Sequence, residues 1–175
     1  MQVRQAQLAD AADIASIHIR AWQAAYQGVM PADFLAAQRH DEKTEMWQKV
    51  ITAGGKGINL VALLSGNIEG FGVYGPARDD DLQEQAAGEL VALNVNPEKW
   101  RCNVGSAILS EVITGCIDRH WSSLHLWVVS SNVRAIHFYE KFGFASENIH
   151  KEDKTHAQYP VKETRFFLEL TDSKA

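Results

Sequence analysis

The sequence contains few cysteines, few prolines and no excess of basic residues. Its 175 residues include 2 cysteines and 4 prolines, and 17 Lys and Arg against 22 Asp and Glu give a net charge of -5. Cys102 and Cys116 have neither CxxC spacing nor histidines at ligand distance, so we predict free thiols and no metal site. Nucleic acid and anionic membranes require a basic face, and neither is predicted as a partner.

Long hydrophobic runs are also missing. No apolar stretch approaches the length of a membrane-spanning helix, and the sequence passes from Met1 into strand-like residues without a signal peptide. These two features predict a cytoplasmic protein. Since 46% of the residues are hydrophobic, we expect one compact domain over residues 1–175 with a single core.

The apolar periodicity predicts helices and strands over most of the chain. An acidic capping box at Asp10 and Asp13 would open the first helix, and Asn148 to Pro160 reads as a polar loop. Asp79–Asp81 reads as a charged turn that is either solvated or attractive to cationic substrates. The predicted strands are 2–6, 58–64, 68–74, 89–95, 124–129, the stretch after Gly143 and 161–170, and the predicted helices are 10–26, 31–35, 41–53, 104–119 and 132–143.

The segment from Leu126 to Phe144 carries the strongest pattern. It reads as a buried strand, a loop, a helix from Asn132 to Gly143, and another strand. At 3.6 residues per turn, Asn132, Ala135 and Tyr139 fall on one face of that helix, where an amide, a small residue and a phenol would line a groove. Gly143 would supply the left-handed residue that ends the helix, with Phe144 packing back on its last turn.

This segment closely resembles the coenzyme A motif of the GNAT superfamily of N-acetyltransferases. The order of predicted elements is also similar to the GNAT layout over nearly the whole chain. The resemblance implies an α/β (α+β) fold, with a mixed central sheet of about six to seven strands and helices on both faces. It also implies an acetyl-coenzyme A-dependent enzyme that acetylates a primary amine of a small molecule or of a peptide or protein N-terminus.

A second motif lies between residues 95 and 109, where a strand leads through a turn into a helix. Backbone N–H groups and the positive end of the helix dipole at such a junction bind phosphate. The GNAT pattern has three glycines here, and the sequence keeps only Gly105. Asn103 tolerates a left-handed backbone and Arg101 would add positive charge, or both side chains would block the turn. The resemblance assigns coenzyme A binding to residues of this strand, turn and helix start, and to the helix face above: Leu93, Val95, Arg101, Cys102, Asn103, Val104, Gly105, Ser106, Asn132, Ala135 and Tyr139.

The same resemblance assigns catalytic roles. Glu89 would deprotonate the amine through ordered water, or it is an exposed carboxylate at the edge of a strand. A backbone N–H of Val95 or its neighbour would donate to the thioester oxygen, or the strand is an ordinary central one. Tyr139 would protonate the departing thiolate, or it is a core aromatic residue. Asn132 would cap its helix, contact the pantetheine arm, or do both.

The acceptor site is less well marked. His18, Trp22 and Tyr26 recur at four-residue spacing along the first helix and would wall an acceptor cleft, or they form part of the core. Two alternatives to an enzyme stay open: a catalytically silent coenzyme A-binding protein of the same fold, and a protein-interaction module. A homodimer through the last strands is a reasonable expectation.

Overall fold

The computed structural model describes residues 1–153 and 160–170. In these ranges no helix is both long and apolar enough to cross a bilayer. Seven strands form one mixed sheet in the order β1-β2-β3-β4-β5-β7-β6, which confirms the predicted sheet. The described elements are β1 (Gln2–Gln5), α1 (Ala11–Ala25), α2 (Ala32–Ala36), α3 (His40–Thr52), β2 (Ile58–Leu64), β3 (Asn67–Pro76), β4 (Ala87–Val95), α4 (Val104–Ile117), β5 (Ser123–Val129), α5 (Val133–Lys141), β6 (Ala145–Asp153) and β7 (Val161–Glu169).

The chain divides into two compact units. The first consists of Met1–Gly75 and Ala92–Val112, and the second of Pro76–Val91 and Ile113–Ala175. Strand β4 and helix α4 each contribute residues to both units. A single domain over residues 1–175 stays a prediction.

In the first unit, helices cover both faces of the antiparallel strands β1, β2 and β3. Val61 and Phe71 face α1 and α3 in a buried cluster that includes Ile14 and Trp47. The glycines on either side of Phe71 face the other way, because side chains alternate along a strand. A Cβ at Gly72 would lie 2.6 Å from Ile108 Cγ2, so this glycine lets α4 approach the backbone of β3 closely.

The predicted start of α1 is wrong in its detail. Asp10 and Asp13 do not form a capping box, because the Asp10 carboxylate accepts the backbone N–H of Gln7 at 2.7 Å. It also accepts from Arg4 Nη1 at 2.6 Å, and this ion pair lowers the pKa of Asp10. Asp10 therefore ties β1 to the short turn that precedes α1.

In the second unit, β7 lies between β5 and β6 and is antiparallel to both. The first residues of β4 pair in parallel with β5, with Glu89 opposite His125. Strand β6 continues to Asp153, so the loop predicted from Asn148 to Pro160 is wrong for its first six residues. Residues 154–159 lie outside the described part of the chain. The strand predicted after Gly143 is confirmed, but the sequence did not indicate its length because nearly all its residues are polar.

Candidate active site

The turn before α4 keeps a left-handed backbone at two residues that are not glycine. Arg101 has φ +65° and Asn103 has φ +61°, and both side chains are exposed. The Ala107 N–H donates to the Asn103 carbonyl at 3.0 Å, which makes this the first hydrogen bond of the helix. The N–H groups of Val104, Gly105 and Ser106 precede that bond, so the helix itself gives them no partner. The turn therefore has the backbone of an anion-binding helix start.

The end of β4 anchors this turn in the first unit. Trp100 Nε1 donates to the Val95 carbonyl at 3.1 Å, so the indole bridges from the turn back to the strand. Asn96 is buried, its Nδ2 donates to Glu69 Oε2 at 2.6 Å, and its Oδ1 accepts the N–H of Glu98. Val95 is also buried and Leu93 is half-buried. These contacts hold the turn at the end of the strand.

In the second unit, α5 (Val133–Lys141) lies within the predicted range 132–143. Asn132 Oδ1 accepts the Ala135 N–H at 3.2 Å, so its capping role is confirmed. Gly143 has φ +90°, and the Phe144 N–H donates to the Tyr139 carbonyl at 3.2 Å. The Phe144 ring lies 5.7 Å from the Tyr139 ring, so it packs on the last turn as expected. Tyr139 is buried at 8% exposure, and its ring is held by these contacts.

Glu89 is not an exposed carboxylate at a strand edge. It is 4% exposed, and its two oxygens accept from one neighbour, Arg78. Arg78 Nη2 donates to Oε1 at 2.6 Å, while Arg78 Nε and its backbone N–H donate to Oε2 at 2.9 and 3.1 Å. This pairing raises the pKa of Arg78. The carboxylate is thus held by three donors, and about one of its four lone-pair positions is left for water.

A buried arginine organises the same unit, and the sequence reasoning missed it. Arg165 on β7 is 3% exposed and binds Asp81 through Nη2 at 2.6 Å and Glu147 through Nε at 2.7 Å. Its Nη1 donates to Asp79 at 3.1 Å. Asp79 and Asp81 are therefore paired with Arg165, while the turn stays solvated at Asp81, whose side chain is 58% exposed. The available signal was an arginine directly before the apolar run Phe166–Leu168 of the same strand.

Another cluster of the second unit centres on His125, which is 5% exposed. Its Nε2 lies 2.9 Å from Ser123 Oγ, and its Nδ1 lies 3.1 Å from Glu147 Oε2. Arg165 also binds that glutamate, so the histidine belongs to the same ionic network.

The three aromatic residues that are predicted to wall the acceptor cleft form a row along α1 in the first unit. Ring centroids are 5.6 Å apart for His18 and Trp22 and 4.9 Å apart for Trp22 and Tyr26, and all three residues are half-buried. His18 also belongs to the core, since its Nδ1 accepts from Trp47 Nε1 at 3.2 Å. A role for this row in acceptor binding stays a prediction.

Both cysteines are free, as predicted. Cys102 is exposed in the turn before α4, whereas Cys116 is buried within α4. Burial raises the pKa of Cys116 to about 12, so this thiol stays protonated at neutral pH. Over residues 1–153 and 160–170, no three His, Cys, Asp or Glu side chains are grouped to hold a metal ion.

A family model and a related sequence identify the same family, and solved structures share its fold. The model of the acetyltransferase (GNAT) family matches residues 13–144. The uncharacterized N-acetyltransferase YuaI of Bacillus subtilis (strain 168) is 31% identical over 140 residues, which are 80% of this chain and 78% of YuaI. The PaiA N-acetyltransferase of Thermoplasma acidophilum, solved with coenzyme A, has a TM-score of 0.77 and 17% identity, over 96% of this chain and 98% of PaiA. YncA of Salmonella typhimurium, solved with acetyl-CoA, has a TM-score of 0.69 and 19% identity, over 100% of this chain and 96% of YncA. The chain belongs to the GNAT family of acetyltransferases.

Proposed function

We propose that this enzyme binds acetyl-CoA and transfers its acetyl group to a primary amine of a small molecule or of a peptide or protein N-terminus. The observation that carries the proposal is the left-handed backbone at Arg101 and Asn103, directly before the start of α4. These two residues replace glycines of the family pattern, yet both adopt a backbone conformation that glycine favours. A conformation that is costly for residues other than glycine is retained where the surrounding structure requires it.

The turn and the start of α4 would hold the diphosphate of the cosubstrate. The N–H groups of Val104, Gly105 and Ser106 supply donors, and the dipole of a 14-residue helix adds positive potential at the same end. The exposed Arg101 guanidinium adds charge, and the exposed Asn103 and Cys102 border the same turn. The residues present therefore fit a diphosphate.

Helix α5 would supply the second set of contacts. Asn132 has one amide oxygen committed to the helix cap, which leaves its amide N–H₂ group for the pantetheine arm. The small side chain of Ala135 leaves room beside it. Tyr139 would donate its phenolic proton to the thiolate as it departs, since a phenol and a thiol have similar pKa values.

Two groups on β4 would complete the reaction. An amine with a pKa of roughly 8 to 10 arrives protonated and must lose a proton before it attacks the thioester. Glu89 would accept that proton through water at its remaining lone-pair position, with Arg78 as the residue that positions it. A backbone N–H at Val95 or its neighbour would donate to the thioester oxygen as it becomes negative. Homodimer formation and a cytoplasmic location also stay predictions, and the mechanism depends on neither.

The exposed thiol of Cys102 allows a direct test of cosubstrate binding, with Cys116 as the internal control. Acetyl-CoA should give saturable heat in calorimetry, and at ten times its Kd it should slow alkylation of Cys102 by iodoacetamide about ten-fold. Cys116 should stay unlabelled in both states because it is buried and protonated. No heat and no change in labelling at about 1 mM acetyl-CoA would overturn the proposal.

A further inference from the structure

An indole ring in the second unit holds an ammonium group of the chain itself. Trp127 lies on β5 and is half-buried, and Lys151 Nζ from β6 lies 4.0 Å from the centroid of its ring. A cation within about 6 Å of an aromatic face is attracted by the ring quadrupole. The contact is a cation–π pair in which the cation is a primary alkylammonium.

The ring is fixed in place before any ligand arrives. Trp127 Nε1 donates to Asp79 Oδ2 at 2.9 Å, and the same oxygen accepts from Arg165 Nη1 at 3.1 Å. The Arg165 guanidinium carbon lies 5.7 Å from the ring centroid. A ring held at its edge by a buried ion pair loses little further freedom when a cation binds to its face.

The charges around the ring favour a cation. Lys151 Nζ lies 3.8 Å from Glu163 Oε2, and Arg165 binds Asp79, Asp81 and Glu147. Four carboxylates thus face two cationic side chains, and the group keeps an excess of negative charge with Lys151 in place. Glu163 is only 16% exposed in its side chain, so its attraction for an ammonium is less screened than that of a surface carboxylate.

Lys151 can leave this position at low cost. It lies on β6, which is the edge strand of the sheet order, and its side chain is 41% exposed. An ammonium on a flexible four-carbon stem regains hydration and rotamer freedom when it moves into solvent. A competing ammonium could therefore take its place on the ring.

We propose that the Trp127 ring face and the Glu163 carboxylate form a subsite for a primary alkylammonium, which Lys151 occupies when no ligand is bound. The proposal rests on the acetyltransferase function above and names its acceptor class: a short aliphatic amine that carries a second ammonium group. The second ammonium displaces Lys151, and the first is the one that is acetylated.

The position of the subsite fits this role. Glu89 is the register partner of His125, and Trp127 follows His125 by two residues on the same face of β5. Strand spacings of about 4.8 Å and 3.3 Å per residue place the Cα atoms of Glu89 and Trp127 roughly 8 Å apart. A short aliphatic chain spans that distance between an amine near Glu89 and an ammonium on Trp127.

The test compares 1,4-diaminobutane with n-butylamine as acceptors. In Trp127→Leu the KM for the diamine should rise about three- to thirty-fold, because the ring attraction is lost, while the KM for the monoamine stays the same. Trp127→Phe should restore part of the preference because it keeps an aromatic face. Lys151→Met should lower the KM for the diamine by several-fold because the internal competitor is gone. Lys162→Met removes an exposed lysine of β7 and should change neither the KM for the diamine nor the KM for the monoamine.

Calorimetry with coenzyme A bound keeps the subsite separable from catalysis, since no acetyl group is then available. The diamine should bind more tightly than the monoamine, and Trp127→Leu should abolish the difference. Equal binding and equal KM values for the two amines in the wild-type enzyme would overturn the subsite while leaving the acetyltransferase function intact. Failure to bind coenzyme A would overturn the proposed function. A titration with the diamine in the absence of coenzyme A would then still test whether the subsite binds an ammonium group. Thermal melting confirms that each variant is folded. If Trp127→Leu does not fold, Trp127→Phe takes its place in the comparison with the wild-type enzyme.

Discussion

The turn at residues 101–105 and the segment at 132–144 are both motifs of the same family, but this chain preserves them in different ways. The turn has Arg101 and Asn103 in place of two glycines of the family pattern, and both adopt the left-handed backbone that glycine favours. The segment has kept its residues, from the Asn132 cap to the left-handed Gly143. A turn that binds through backbone N–H groups constrains φ and ψ, whereas a helix that presents an amide and a phenol constrains side-chain identity.

This difference explains why the substitutions are found in the turn. Asparagine is enriched among non-glycine residues with positive φ, so Asn103 replaces glycine at modest cost. Arg101 has no such preference and carries the larger strain, which the anchors at Trp100 and Asn96 offset. No residue other than tyrosine offers a phenol, so Tyr139 has no equivalent substitute.

The largest effect should come from the side-chain motif. In Tyr139→Phe we expect kcat to fall about 100-fold or more, because general acid catalysis contributes at least that factor. The variant should stay folded, since the ring contacts with Phe138 and Phe144 do not use the hydroxyl. The measurement is thiol release with an amine acceptor. A kcat within two-fold of wild type would remove the acid role of Tyr139.

A smaller effect should follow from breaking the backbone of the turn. Asn103→Val places a β-branched residue at φ +61°, where the left-handed conformation costs about 1–2 kcal/mol. We expect Kd for acetyl-CoA to rise about ten-fold as the turn opens. Asn103→Gly is the matched control and should bind as well as wild type, because glycine adopts positive φ freely. Calorimetry measures both, and equal Kd values for the two variants would show that the turn does not bind the cosubstrate.

The smallest effect should come from the charge in the turn. Arg101→Gly restores the family pattern and removes one cation, so we expect Kd to rise about two- to five-fold in low salt. The difference in Kd between Arg101→Gly and the wild type should shrink at about 1 M salt, where charges more than about 3 Å apart are screened from each other. Arg101→Lys should retain wild-type affinity because it keeps the positive charge. A lower Kd in Arg101→Gly, independent of salt, would mean that the arginine obstructs the turn.

The sequence predicted the strands and helices well but not the ionic contacts around Glu89 and Arg165. The bounds predicted for β2 are confirmed because an apolar run and a Ser65–Gly66 turn define a hairpin locally. Glu89 looked exposed because its partner, Arg78, lies 11 positions away in a different element. Asp79 looked like part of a solvated turn because its partner Arg165 is 86 positions away.

The sequence by itself determined most of the elements, the Asn132 cap and the family, because periodicity, capping residues and motif spacing act within a few residues of each other. The tertiary structure alone decided which charges are buried together and which aromatic face holds a cation. Those pairings depend on strand order and register, through which β7 comes to lie between β5 and β6. Register places Trp127 opposite Arg165 and Lys151 opposite Glu163, and no local pattern in the chain encodes either pairing.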